Sequence, residues 1–381
     1  MKTFEPLNVS SKFAICGLPI RVDTYKTCGF QCEYCFANSR KIMEFAKELQ
    51  IADLKSVERR LCKVLTKKEV DETNFLNVLI SKGYTWHLGG MSDPFQPVEE
   101  KLQVTKKLLD ITNQYSTHIL MSTKSDTVYG ADIDPKLHTF QLSVTNTKDR
   151  KDIEPNVPSI ESRYRFYKSL KERGFKVGIR IQPFIPNITD ESIVDMFHDA
   201  DNISIEGLKL VPQNEAHKKR MLELTGLSLN DFTQMGLLNL KAGIRWRFYQ
   251  PILEKIKAYN IPYSLADNDF HHIGTNKCCC GDRLVEKSTS FNTTAMIYQY
   301  GINYTKEQLE HEIAKCGVGC CKCEQLFTSN RTHGLKTVSE NFEYRIWDSA
   351  SPFSPKFLDL ETERKPVEWS NLDTTEQLTM I

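Results

Sequence analysis

The sequence lacks the marks of an exported or membrane-bound chain. Its start, Met1-Lys2-Thr3-Phe4-Glu5-Pro6, has no apolar signal core, and no stretch reaches the length of a membrane span. The expected location is the cytosol, with no membrane partner. A basic run is missing too. The 50 Lys and Arg are scattered against 49 Asp and Glu, for a net charge of +1. Proteins that bind phosphate backbones usually gather a basic stripe, so a small-molecule substrate is expected ahead of nucleic acid. Nothing in the composition departs from a soluble globular mix, with 40% apolar and 26% charged residues.

Cysteine is present in quantity. There are twelve, and in a reducing cytosol they point to metal binding or redox chemistry rather than structural disulfides. Three sit at Cys28, Cys32 and Cys35, and seven more fall between 278 and 323. Cys16 and Cys62 stand alone and read as small buried hydrophobes.

The chain's 381 residues suit one large domain with a smaller appendage. Short β-like runs alternate with amphipathic stretches from about residue 18 to 270. Strands are predicted at Ile20–Asp23, Thr85–Leu88, His118–Met121, Phe140–Val144, Lys176–Ile181, Glu206–Leu210 and Pro262–Leu265. Apolar positions Leu102, Leu108, Leu109 and Thr112 mark one helix face. Ile160, Tyr164, Tyr167 and Leu170 mark another, whose helix should stop at Gly174. Further helices are expected around residues 40–80 and over 215–258.

Repeated strand–helix units imply a parallel sheet. The expected fold is α/β, a partial (β/α)6 TIM-like barrel over residues 1–270, with chemistry at the C-terminal strand ends. A Cys-rich metal-binding appendage is expected over 271–347 and a loosely packed tail over 348–381.

Cys28-Gly29-Phe30-Gln31-Cys32-Glu33-Tyr34-Cys35 is Cys-x3-Cys-x2-Cys directly after a predicted strand. Three thiolates can hold three irons of a 4Fe–4S cluster and leave the fourth iron open. Zinc usually takes a fourth protein ligand, and neither His nor Cys lies close by in sequence to supply one.

This motif, with an aromatic before the third cysteine, resembles the signature of the radical S-adenosylmethionine (SAM) superfamily. The resemblance implies that Cys28, Cys32 and Cys35 bind the cluster and that its open iron chelates SAM. It implies that Tyr34 packs near the adenine and that Phe36 offers its backbone. Gly89 and Gly90, in the turn after the second strand, would admit the methionyl amino group.

The string Ser92-Asp93-Pro94-Phe95-Gln96-Pro97-Val98-Glu99 is similar to the Thr-Asp-Pro-Tyr-Gln-Pro-x-Glu string of the spore-photoproduct-lyase-like branch. Thr123-Lys124-Ser125, Leu142–Thr145 with Glu154-Pro155 and Arg163, and Ile181–Pro186 follow in that branch's order. By this resemblance Lys124 and Ser143 serve the SAM carboxylate and its surroundings, and Gln182 the adenine. One departure stands out. Spore photoproduct lyase carries a hydrogen-donating cysteine after its second strand, where this chain has Met91, whose thioether has no S–H.

The second cysteine group, Cys278-Cys279-Cys280 and Cys316 to Cys323, reads as a metal clamp for zinc or an auxiliary iron–sulfur cluster. Cys279, Cys280, Cys320 and Cys323 are the expected ligands. The expected activity is radical SAM lyase chemistry on a small modified nucleobase, of the queuine-lyase kind that releases a 7-deazaguanine base. The alternative is a DNA or RNA lyase of the spore-photoproduct type. Asp93, Gln96, Asp267, Asn268 and Asp269 are the expected substrate readers, because a carboxylate accepts two N–H donors of a guanine-like edge. Asp93 alternatively caps the following helix. A one-electron donor such as flavodoxin or ferredoxin is the implied partner.

Overall fold

The computed structural model describes residues 1–10, 16–39, 48–267, 270–271, 273–276, 278–281, 283–288, 305 and 307–308. The helix expected from residue 40, the second knot from Cys316 to Cys323 and the tail over 348–381 lie outside them.

The core is an eight-stranded, mostly parallel sheet. Its strands are β1 (Leu7–Val9), β2 (Ile20–Val22), β3 (Trp86–Leu88), β4 (Ile119–Thr123), β5 (His138–Ser143), β6 (Val177–Phe184), β7 (Asn202–Gly207) and β8 (Tyr263–Leu265). Their order across the sheet is the order along the chain. Only β1 runs antiparallel to its neighbour; the other seven are parallel. Every residue of β3 and of β4 is buried. Strands covered on both faces read as continuous apolar runs, as Ile119-Leu120-Met121 does.

Helices fill the crossovers. Val104–Gln114 buries Leu108, Leu109 and Thr112, as predicted. Its start is held by Glu99 of the Ser92–Glu99 string, whose carboxylate accepts the Thr105 and Lys106 N–H groups at 3.0 and 2.9 Å. Ile160–Glu172 begins at Ser159, whose hydroxyl accepts the Ser162 N–H. It ends before Gly174, which takes a φ of +83°, the left-handed turn that glycine adopts freely. Its buried face carries Arg163 beside Ile160, Tyr167 and Leu170.

Two expectations need correction. The strand expected at 206–210 starts earlier, at Asn202, where the alternation Asn202-Ile203-Ser204-Ile205 has the period of a strand. The helical stretch expected over 215–258 is broken. Helices Glu215–Thr225 and Ala242–Ala258 flank an antiparallel hairpin, Phe232–Met235 with Leu237–Leu240, turned at Gly236 with φ +78°. The hairpin pairs with Lys209–Leu210. Tight hairpins need positive φ at the turn, which glycine supplies.

The expected division at residue 270 is crossed by close contacts. Asn276 donates to Asn202 at 2.6 Å, Thr139 to the Leu284 carbonyl at 3.1 Å, and the Thr85 N–H to the Lys287 carbonyl at 3.0 Å. Residues 273–288, where described, thus pack against the N-terminal ends of the strands. Among the described residues no helix is long and apolar enough to cross a membrane.

Candidate functional site at the C-terminal strand ends

A cleft opens at the opposite, C-terminal ends of the parallel strands. Cys28, Cys32 and Cys35 line it together with Tyr34, Phe36, Gly89, Gly90, Met91, Asp93, Lys124, Ser143 and Gln182. Residues drawn from five separate loops and strands therefore converge on one space.

The loop after β2 carries the three cysteines. Gln96 grips it by accepting the Gly29 N–H and donating to the Thr27 carbonyl, both at 2.7 Å. Asn156 donates to the Gly29 carbonyl at 2.9 Å, and the Glu33 N–H to the Ile153 carbonyl at 2.9 Å. The Cys28 thiol receives backbone N–H groups of Asp93 and Phe30. Burial pushes the Cys28 and Cys32 thiols up to about 12. Bare, they stay protonated at neutral pH; a bound cation is what would hold them as thiolates.

Gly89 and Gly90 differ in kind. Gly89 has φ +90°, and a Cβ there would stand 2.4 Å from the Ser122 carbonyl oxygen and 2.8 Å from Pro94. The fold itself requires that glycine. A Cβ on Gly90 would meet only Arg21, at an ordinary 3.8 Å, so packing alone does not require glycine there.

Lys124 ends β4 and reaches a buried polar group. Glu154 accepts from the Tyr34 hydroxyl, from Thr145 at 3.0 Å and from Arg163 at 3.4 Å, and its carboxylate lies 3.7 Å from the Lys124 ammonium. Burial opposes ionisation of Glu154, but Lys124, Arg163 and the Tyr34 hydroxyl outweigh it and hold the carboxyl below its usual range. Arg163 also donates to the Ser143 carbonyl at 2.9 Å. The Lys124 ammonium lies 5.4 Å from the centre of the Tyr34 ring, yet it is buried with no hydrogen-bond partner. Gln182 donates to Ser204 at 2.8 Å while its side-chain oxygen has none. Buried polar atoms are rarely left so, and both of these line the cleft.

The expected substrate readers fare differently. Asp93 lines the cleft, but its carboxylate is filled by the Phe95 N–H at 2.9 Å, the Thr123 hydroxyl at 2.7 Å and the Lys124 N–H at 2.6 Å. Burial pushes its pKa up, against the pull of those donors. It ties the β3 and β4 loops together. Gln96 holds the cysteine loop. Asp267 is 1% exposed and accepts from Arg245, Tyr249 and the Gly207 N–H, away from the cleft lining. Asn268 and Asp269 lie outside the described residues.

Three cleft-lining charges escaped sequence reading: Arg180 from β6, and Glu206 at the end of β7, ion-paired with Lys209 just after it. No local motif flags them: Glu206 and Lys209 pair three residues apart, and Arg180 joins the same cleft only through the parallel order of the strands. Cys279 and Cys280 lie with Cys278 and Cys16 at the other end of the sheet; Cys320 and Cys323 are outside the described residues.

No family model matches the chain. An uncharacterized protein of Methanocaldococcus jannaschii is 28% identical over 196 residues, which cover 50% of this chain and 68% of the relative. Spore photoproduct lyase complexed with dinucleoside spore photoproduct superposes with a TM-score of 0.50 at 12% identity, over 65% of this chain and 76% of that one. A variant of that lyase with bound AdoMet and dinucleoside spore photoproduct gives 0.50 at 12% identity, over 67% and 79%. These likenesses establish the architecture: the chain has the α/β fold of spore photoproduct lyase.

Proposed function

We propose that this chain is a radical SAM enzyme, with a 4Fe–4S cluster on Cys28, Cys32 and Cys35 and SAM beside it. The observation that carries the reading is the meeting, in one cleft, of three thiols, an unobstructed glycine backbone at Gly90 and the Lys124 ammonium, which is ion-paired with Glu154 but makes no hydrogen bond. The sheet would curl as a partial barrel around that cleft.

The donor set fits the group. Cys28, Cys32 and Cys35 do not close to the spacing of a single-ion site, and a cubane spreads its thiolates wider than one tetrahedral ion does. When bound and reduced, the cluster supplies the electron that splits SAM and yields a 5′-deoxyadenosyl radical able to abstract hydrogen. The chain's own residues bind and orient. Lys124 pairs with the SAM carboxylate, a charge-assisted hydrogen bond. Gly90 lets the methionyl amino group approach the backbone. Tyr34, Phe36, Ser143 and Gln182 receive the remainder of the molecule.

For the substrate, the favoured reading is a small modified nucleobase, of the queuine-lyase kind. Glu206 is suited to accept paired N–H donors, with Arg180 and Lys209 beside it. Met91 cannot return a hydrogen atom to a product, which weighs against thymine-lesion reversal. The second reading, a nucleic-acid lyase, is favoured by the shared architecture. A flavodoxin or ferredoxin would provide electrons in the cytosol.

The test is anaerobic reconstitution with iron, sulfide, dithionite and SAM, reading 5′-deoxyadenosine. Wild type should release it and Cys32→Ala should not. Full release by Cys32→Ala would falsify the cluster assignment. Stimulation by free deazaguanine-type bases supports the first substrate reading; stimulation by damaged DNA alone supports the second.

A further inference from the structure

We propose that Cys16, Cys278, Cys279 and Cys280 bind one zinc ion as a closed structural site at the N-terminal ends of the strands. The cleft reading is not needed for this proposal, because the two sites lie at opposite ends of the sheet.

Cys278, Cys279 and Cys280 have ligand atoms within 4.8 Å of one another; among the described residues they are the one such group of three or more. A tetrahedral zinc with bonds of about 2.3 Å spaces its sulfurs about 3.8 Å apart. The Cys279 and Cys280 sulfurs already stand 4.0 Å apart. That is about twice a disulfide bond of ~2.05 Å, and none of the four cysteines is in a disulfide. A cubane would need a wider ring of ligands. The spacing therefore selects a single ion.

The fourth corner comes from the far end of the sequence. Cys16 packs in the same buried cluster as Cys278, Cys279 and Cys280. Its thiol donates to the Leu18 carbonyl at 3.4 Å, and it stands outside the group of three whose sulfurs lie within 4.8 Å of one another, so it must swing inward to complete the tetrahedron. Cys16 is buried in a small apolar cluster, as read from the sequence, and that cluster also holds Cys278 and Cys280. This grouping revises the ligand set expected from sequence, keeping Cys279 and Cys280 and supplying the other two from Cys16 and Cys278.

The surroundings suit thiolates. The Gly17 N–H points at the Cys278 sulfur at 3.1 Å and the Cys280 N–H at 3.3 Å. His271 hydrogen-bonds Cys279. Such outer contacts orient ligands and temper their charge. Cys16, Cys278 and Cys280 are 5%, 1% and 1% exposed and Cys279 is half-buried, so the site lies largely inside the protein. Closed four-thiolate sites are structural. Here the ion would fasten β2, which leads into the cleft's cysteine loop, to the segment after β8. Binding releases the thiol protons to solvent.

The experiment uses the full chain with Cys28, Cys32 and Cys35 all changed to Ala, so that cleft iron cannot confuse the count. This parent should carry about one zinc per chain by elemental analysis. Adding Cys16→Ser or Cys278→Ser should remove it, while adding Cys320→Ser with Cys323→Ser should leave it. A parent without zinc, or zinc undiminished by Cys16→Ser with an unchanged cobalt spectrum, overturns the proposal. Cobalt substitution of the parent guards against a misfolded variant: a sulfur-to-cobalt charge-transfer band of four-thiolate strength supports the site, and a weaker one overturns it. Because the parent lacks the cleft thiols, failure here is distinguishable from failure of the radical SAM reading.

Discussion

The side-chain oxygen of Gln96 accepts the backbone N–H of Gly29, the residue after Cys28, at 2.7 Å. With its amide nitrogen on the Thr27 carbonyl, this one side chain fixes the loop on both sides of Cys28. Gln96 is 2% exposed, so both bonds are sheltered from water.

Gln96→Ala should therefore loosen the cysteine loop. Losing two buried hydrogen bonds costs about 1–3 kcal/mol each where the partner stays unsatisfied. The reconstituted variant should hold less iron after gel filtration than wild type. Wild-type iron content and cluster absorbance in Gln96→Ala would remove the clamp argument.

Lys124→Ala should weaken SAM binding with iron content kept. Loss of a charge-assisted hydrogen bond costs about 1.5–3 kcal/mol, tenfold or more in affinity. Glu154 keeps Arg163, Thr145 and Tyr34 as partners, so the local fold survives. Calorimetric titration of the reconstituted variant with SAM decides it; an unchanged dissociation constant means Lys124 does not meet the carboxylate.

Gly89→Ala and Gly90→Ala should part company. Alanine at 89 collides with the Ser122 carbonyl and must adopt φ +90°, a strain of about 1–3 kcal/mol before the clash is counted. Its melting temperature should drop. Gly90→Ala should melt like wild type and bind SAM more weakly. Thermal melts and SAM titration of the pair make the comparison, and equal behaviour in both contradicts it.

Acid should destabilise the protein through His138. Burial pulls its pKa down to about 4, against the upward pull of Asp134 and Asp132. Its Nδ1 accepts the Asp134 N–H at 3.0 Å, a bond only the neutral ring makes. The unfolded ring takes a proton near pH 6.5 and the folded one near 4, so stability falls as pH drops through that window. The loss is about 2 kcal/mol by pH 5. Urea unfolding at pH 8 and pH 5 should show a smaller drop for His138→Asn than for wild type; equal drops exclude His138 as the cause.

Much of the site was legible because its chemistry is local. Cys28, Cys32 and Cys35 share one loop, and Gly90, Lys124, Ser143 and Gln182 each follow or end a strand whose apolar run is visible. Asp93 and Gln96 were legible as motif members but not in role, since their partners Thr123, Lys124 and Gly29 lie 30, 31 and 67 residues away. Arg180, Glu206 and Lys209 sit on strands or beyond them with no spacing rule to mark them. The 232–240 hairpin was hidden between two helical stretches; its strands pair with each other around Gly236, and Lys209–Leu210 adds a third.

The strands are laid down across the sheet in the order of synthesis, yet Gly17 and Cys278, 261 residues apart, finish in contact. Closing a loop costs entropy that grows slowly with length, about 0.6 kcal/mol per doubling, and contacts of such long separation retard folding. The junction cannot exist on a nascent chain until residue 278 has left the ribosome. It is thus a late event, made after the intervening strands have had the chance to pair in succession. Pulsed hydrogen exchange should find the Gly17 amide protected after those of β4 and β5; protection at the same time would mean that the ends meet first and the strands fill in between them.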